Sequence, residues 1–116
     1  CVRRDRDRQQ ARVKTVLKKL ADLLGIDAML TSDDVVTSDS ALAPGYGKMD
    51  PSTHDALTLM ARTEGIFLDP VYSAKTFEGL LGLVKDGSIQ PGQKVVMLHT
   101  GGLPALFGYQ EELTEG

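Results

Sequence analysis

The stretch His99-Thr100-Gly101-Gly102 links an unbroken apolar run, Val95-Val96-Met97-Leu98, to a segment that can begin a helix. Its two glycines allow a ligand to approach the backbone closely, and free amides at a helix start attract anions. The same pattern also suits a tight structural turn. It lacks the G-x-G-x-x-G spacing and the Gly-Lys-Ser/Thr of a P-loop, so it is not a nucleotide-binding motif. Position favours a site, because ligands of open α/β sheets lie beyond the carboxyl ends of strands, where His99 and Thr100 fall. Tyr46 and Tyr72 are two of only three tyrosines, and each stands in a glycine- or proline-marked loop just before a helix. A phenol in such a place can give or take a proton, although many tyrosines serve packing plus one hydrogen bond. Lys48 and Lys75 are Schiff-base formers by residue type, but most lysines are exposed and charged. His54 reads as a helix-surface residue. Asp33-Asp34 lacks further carboxylates at ligand spacing and reads as an exposed acidic turn rather than a metal site.

Positioning these groups falls to alternating helices and short apolar pieces. Val13, Val16, Leu17, Leu20, Leu23 and Leu24 fall at helical spacing on one stripe, and Gly25 stops that helix. Ala28 to Leu30 and Val35 to Val36 read as one irregular strand. Residues 39–50 are loop-like around Pro44-Gly45-Tyr46-Gly47. Asp50-Pro51 is a helix-start signature, and the helix is expected to run to about Glu64, with Ala56, Leu57, Met60 and Ala61 inward and Gly65 as its stop. After the apolar run Ile66-Phe67-Leu68 comes the break Asp69-Pro70-Val71-Tyr72. Phe77, Leu80, Leu81 and Val84 then mark a helix ending near Gly87. Val95 to Leu98 is expected to be the central strand, buried on both faces as in a parallel sheet, with a helix from Leu103 to Tyr109. Such alternation implies an α/β fold, a parallel sheet covered on both faces.

The 116 residues are 41% hydrophobic and 25% charged, which fits one compact domain and argues against disorder. No apolar run approaches the ~20 residues of a membrane span. One cysteine, Cys1, allows no internal disulfide and suggests no zinc site, so a reduced, cytoplasmic setting is expected. The chain opens at Cys1 without a signal-peptide core and reads as a piece cut from a longer polypeptide. Charge is uneven: the first 20 residues hold eight of the thirteen basic side chains against two acidic ones, in a chain of net charge −3. Nucleic-acid readers usually interleave aromatics with such charge, and this stretch has none, so it reads as a solvated helix face.

Taken in order, Pro44-Gly45-Tyr46-Gly47, Ala61-Arg62-Thr63-Glu64-Gly65, Asp69-Pro70-Val71-Tyr72 with Lys75, and His99-Thr100-Gly101-Gly102-Leu103-Pro104-Ala105-Leu106-Phe107 resemble a known family over nearly the whole chain. It is the D-cysteine desulfhydrase and 1-aminocyclopropane-1-carboxylate deaminase family of pyridoxal-phosphate enzymes, with the tryptophan-synthase-β-like fold. The resemblance implies that residues 1–116 are the C-terminal part of the large cofactor-binding domain, a three-layer parallel-sheet segment incomplete in this chain. It implies that Tyr46 and Tyr72 are the two active-site tyrosines, with Tyr46 and Ser73 toward the substrate and Tyr72, Thr100 and Gly101 toward the cofactor. Thr100 matches the hydroxyl that hydrogen-bonds the pyridine nitrogen in the desulfhydrase branch. A neutral hydroxyl does not hold that nitrogen protonated, so the ring is a weaker electron sink, which favours elimination of a good leaving group. The deaminase branch typically has a glutamate directly after the second tyrosine, and here that position is Ser73.

The activity so implied is α,β-elimination on a small amino acid, foremost D-cysteine, to pyruvate, ammonia and sulfide. The alternatives are 1-aminocyclopropane-1-carboxylate deaminase, a lyase releasing sulfite from L-cysteate, and a catalytically silent homologue or binding module acting through the basic first helix. The family's Schiff-base lysine lies in an N-terminal part, and neither Lys48 nor Lys75 matches its motif. This chain alone is therefore expected to be inactive and to need the remainder of its polypeptide. A homodimer is expected from relatives, with no nucleic acid and no membrane as partners.

Overall fold

The computed structural model describes residues 3–26 and 34–114. Three helices carry the architecture: α1 (Arg6–Leu24), α2 (Pro51–Glu64) and α3 (Ser73–Lys85). A 3-10 helix (Leu103–Tyr109) leads into the short α4 (Gln110–Thr114). The helix ends follow local chemistry. The Asp50 carboxylate accepts from the Thr53 amide at 2.8 Å, Pro51 occupies the first turn of α2, and Gly65 closes it at φ 67°. Gly25 closes α1 in the same left-handed conformation, at φ 64°.

α2 and α3 pack against each other, and the core lies between them and the segment that links them. Leu57 from α2, Leu68 from the linking segment and Ala74 from α3 form its buried centre; Met60, Phe77, Met97, Leu106 and Leu113 pack around it. The start of α3 and the turn after Leu98 are thus drawn to one small core, which brings the predicted site segments together.

The expected sheet is the main difference. Among the described residues no strand forms. Val95 to Leu98 is not buried on both faces: Val96 is 93% and Leu98 77% exposed. An apolar run becomes a strand only where neighbours accept and donate its ladder hydrogen bonds, and no described segment does so for this one. Ala28 to Leu30 lies outside the described residues. Val35 is buried, its carbonyl accepting from the Gln10 side chain at 2.9 Å, while Val36 is exposed. The apolar stripe of α1 also finds no cover: none of its residues is buried. These open faces enlarge the molecule. Its accessible surface of 8450 Å² exceeds the roughly 6200 Å² of a compact domain of this mass. Its radius of gyration of 16.1 Å exceeds the roughly 13 Å expected. The chain is thus more open than the one compact domain that its composition fits. Among the described residues, no helix is long and apolar enough to cross a membrane.

Candidate active site

Asp69 organises the centre. Fully buried, it stands three residues before Tyr72 and supplies the cap that Tyr72, at the N-cap position of α3, does not. Its carboxylate accepts from the amides of Val71 at 3.0 Å, Tyr72 at 2.8 Å and Ser73 at 2.8 Å, and from the Ser73 hydroxyl at 2.6 Å. The Ser73 oxygen in turn accepts from the Asp69 amide at 2.7 Å. Burial pushes the Asp69 carboxyl upward, but these hydrogen bonds from Ser73, Tyr72 and Val71 together outweigh it and hold the group below its ordinary value. Ser73, assigned toward the substrate by resemblance, is itself buried, with its hydroxyl committed to Asp69.

The turn that follows the apolar run Val95 to Leu98 rests against this centre. A Cβ added at Gly102, which sits at φ 98°, would lie 2.8 Å from Asp69 Cγ, so only glycine allows the turn to rest on the carboxylate. His99 ties the same turn to the Phe67 segment. Its Nδ1 accepts from the Gly101 amide at 3.1 Å, so the proton lies on Nε2, which donates to the Phe67 carbonyl at 2.9 Å. Replacing Gly102 by alanine adds both left-handed strain and a steric conflict. We expect it to lower the unfolding free energy by about 2–4 kcal/mol. Gly101→Ala, at φ 89° with open space around its Cβ, is expected to cost about half as much. Denaturant midpoints of the two variants check this ordering.

Tyr46 and Tyr72 meet. Their hydroxyls are hydrogen-bonded to each other, and the rings stand edge to face with centroids 6.0 Å apart. Both are nearly half exposed, so the phenols face open space rather than packed core. The hydrogen bond to Tyr46 pushes the Tyr72 phenol above its ordinary value of 10.0, with partial burial and the Tyr46 and Asp69 charges adding to it and Arg3 opposing. Arg3 lies over the Tyr46 ring, 5.4 Å from its centroid. Sequence reasoning left Arg3 in the solvated basic stretch.

Thr100 and Gly101 are exposed on the turn between His99 and Gly102. The Thr100 hydroxyl makes no hydrogen bond among the described residues, and the space above Gly101 is clear. An exposed hydroxyl donor beside a glycine without steric cover, on a backbone fixed from both sides, fits the edge of a flat heteroaromatic ring. Lys75 differs from the expectation of an exposed lysine: it is buried, and donates to the carbonyls of Ala41 at 3.2 Å and Ala43 at 2.6 Å. Lys48 is exposed on the loop, and His54 on α2 lies 3.9 Å from Asp55. Among the described residues no group of histidine, cysteine or acidic side chains can hold a metal; Asp33 lies outside them. The signals for Asp69 were present in the spacing of an aspartate four residues before a serine at a helix start, the pattern of a side-chain cap.

Comparison with known proteins gives the family. A family described as pyridoxal-phosphate dependent enzyme matches residues 1–101. The 1-aminocyclopropane-1-carboxylate deaminase of Methylobacterium nodulans is 42% identical over 100 residues, covering 86% of this chain and 30% of that protein. The enzyme of the same name from Rhizobium rhizogenes is 37% identical over 107 residues, covering 92% of this chain and 32% of that one. A crystal structure of an ACC deaminase homologue superposes with a TM-score of 0.81 at 28% identity, over 97% of this chain and 33% of that one. The chain thus spans about a third of the length of the curated relatives it matches. With a matched segment of this extent and a likeness in fold of this degree, the chain belongs to the family of pyridoxal-phosphate dependent enzymes.

Proposed function

We propose that this chain is the C-terminal part of the cofactor-binding domain of a longer polypeptide, a pyridoxal-phosphate-dependent lyase that deaminates a small amino acid. The leading substrate is 1-aminocyclopropane-1-carboxylate, after the names of the relatives. The observation that carries the reading is the contact between the Tyr46 and Tyr72 phenols, with Tyr72 joined through Asp69 to the turn that follows Thr100. Assembly as a homodimer and a cytoplasmic location belong to the same proposal and rest on the family resemblance.

Thr100 would hold the cofactor's ring nitrogen, Gly101 would leave room for the ring edge, and Tyr72 would border its face. When bound, pyridoxal phosphate withdraws electron density from the substrate's α-carbon. The chain's own contribution is the handling of protons. Tyr72, whose phenol keeps its proton well past neutral pH, donates it to the ring carbon that parts from the α-carbon as the cyclopropane opens, or, on the second reading below, to the sulfur that leaves. Tyr46 then donates its hydroxyl hydrogen bond to the phenolate oxygen on Tyr72, holding that charge until a proton returns. Asp69 keeps Tyr72 and the Thr100 turn in fixed relation through its backbone bonds and the close approach of Gly102.

A second reading, elimination of sulfide from D-cysteine, is favoured by Ser73. The deaminase branch is expected to carry a glutamate there, and the serine removes that carboxylate from the neighbourhood of Tyr72. Assaying the complete polypeptide with pyridoxal phosphate separates the readings. Ammonia and 2-oxobutanoate from 1-aminocyclopropane-1-carboxylate are expected on the first; sulfide and pyruvate from D-cysteine replace it by the second. No product from either substrate would overturn both.

A further inference from the structure

Tyr46 sits on a loop that has little of its own to hold it. Glycines flank it on both sides, Gly45 at φ 147° and Gly47 at φ 68°, and the space around Gly45 is open. The phenol is 47% exposed, and its ring meets the Tyr72 ring edge to face and the Arg3 guanidinium. Left to itself, such a segment would swing the phenol through many positions.

Two side chains that the proton chemistry does not use grip this loop on either side of Tyr46. On the N-terminal side the Lys75 ammonium, 1% exposed, donates to the Ala41 and Ala43 carbonyls at 3.2 and 2.6 Å. On the C-terminal side the Tyr109 hydroxyl donates to the Gly47 carbonyl at 2.5 Å and would lie 3.6 Å from a Cβ at that position. A buried ammonium bonded to backbone carbonyls is a costly way to fill space, which a methionine would fill without the desolvation. Its placement gives a reason. Lys75 lies three residues after Tyr72 in the first turn of α3, so the element that presents one phenol also grips the loop of the other. Tyr109 ends the 3-10 helix that begins just past the Thr100 turn, so the loop is joined to the proposed cofactor edge as well.

We propose that Lys75 and Tyr109 are positioning residues that clamp the 41–47 loop from both sides and hold the Tyr46 hydroxyl on that of Tyr72. This rests on the proton-handling role assigned above to the two phenols.

The test uses the complete polypeptide and a double-mutant cycle. Tyr109→Phe in the holoenzyme is expected to lower kcat about 10-fold, with KM changed less than about twofold. In a Tyr46→Phe background the same substitution is expected to lower kcat by less than about twofold, because the group it positions is gone. An undiminished effect in that background overturns the proposal. A second readout needs no turnover: tyrosine 13Cζ resonances of the apoprotein, followed with pH. The groups facing Tyr72 are Tyr46, Arg3 and Asp69. Loss of the clamp is expected to free Tyr72 from Tyr46 and bring its titration down toward 10.0; an unmoved titration overturns the proposal. If Tyr46→Phe alone leaves turnover unchanged, the catalytic reading fails, and the resonance measurement still decides the clamp. Lys75→Met is expected to behave as Tyr109→Phe does. Should it fail to fold, Tyr109→Phe, which leaves α3 untouched, decides alone.

Discussion

Substituting Tyr72 by phenylalanine in the complete polypeptide is expected to lower kcat by about 10²–10⁴-fold, the range lost when a positioned general acid is removed. KM is expected to change little, because the ring and its edge-to-face contact with Tyr46 remain while only the hydroxyl is lost. The pH dependence supplies a signature. The active form of Tyr72 is the protonated one, and hydrogen bonding to Tyr46 raises its pKa above 10.0. Turnover therefore stays level below that value and falls as pH rises through it. Tyr46→Phe removes the largest cause of the upward shift, so in that variant the alkaline fall is expected to begin at lower pH. Steady-state rates from pH 7 to 11 measure both effects. A Tyr72→Phe enzyme with more than half of wild-type kcat would show that the phenol carries no proton in the slow step.

Asp69→Ala is expected to be the most destabilising of the substitutions considered, at about 3–5 kcal/mol in unfolding free energy, in the range found when a buried charged partner of several donors is removed. It strands the part-buried amides of Val71 and Tyr72 and the buried amide and hydroxyl of Ser73 without their acceptor. The carboxyl's pKa is depressed on folding, so its contribution is fully present above the unfolded value of about 3.9 and is lost as pH falls through the lower folded value. The stability gap between wild type and variant is expected to be constant from pH 7 to 5 and to narrow below about pH 4. Urea denaturation across that range measures the gap; one that stayed constant to pH 2 would show that the charge contributes nothing.

Local chemistry was the legible part of the sequence. Asp50, Pro51 and Gly65 bounded α2, and Gly25 ended α1, because a cap is decided by a few adjacent residues. The pairing of Tyr46 with Tyr72 came from motif resemblance; no periodicity predicts that two phenols 26 residues apart will touch. Strand character at Val95 to Leu98 is not met among the described residues, since an apolar run states only that a segment avoids water, whereas a strand also requires partners for its amides and carbonyls. The stripe on α1 is legible only as a face: amphipathic spacing leaves open what covers it. The burial of Lys75 is not legible in the sequence, because composition places lysines outside and its burial depends on carbonyls more than thirty residues away in the chain.

The bonds of His99 carry one last consequence. An imidazole that receives a backbone amide on one nitrogen and donates to a backbone carbonyl from the other has both nitrogens committed to the main chain. It acts as a rivet between two loops and stands outside any relay. Losing the ring would break the link to Gly101 and slacken the bend that bears Thr100, so His99 serves this centre by holding its shape rather than by supplying a reactant.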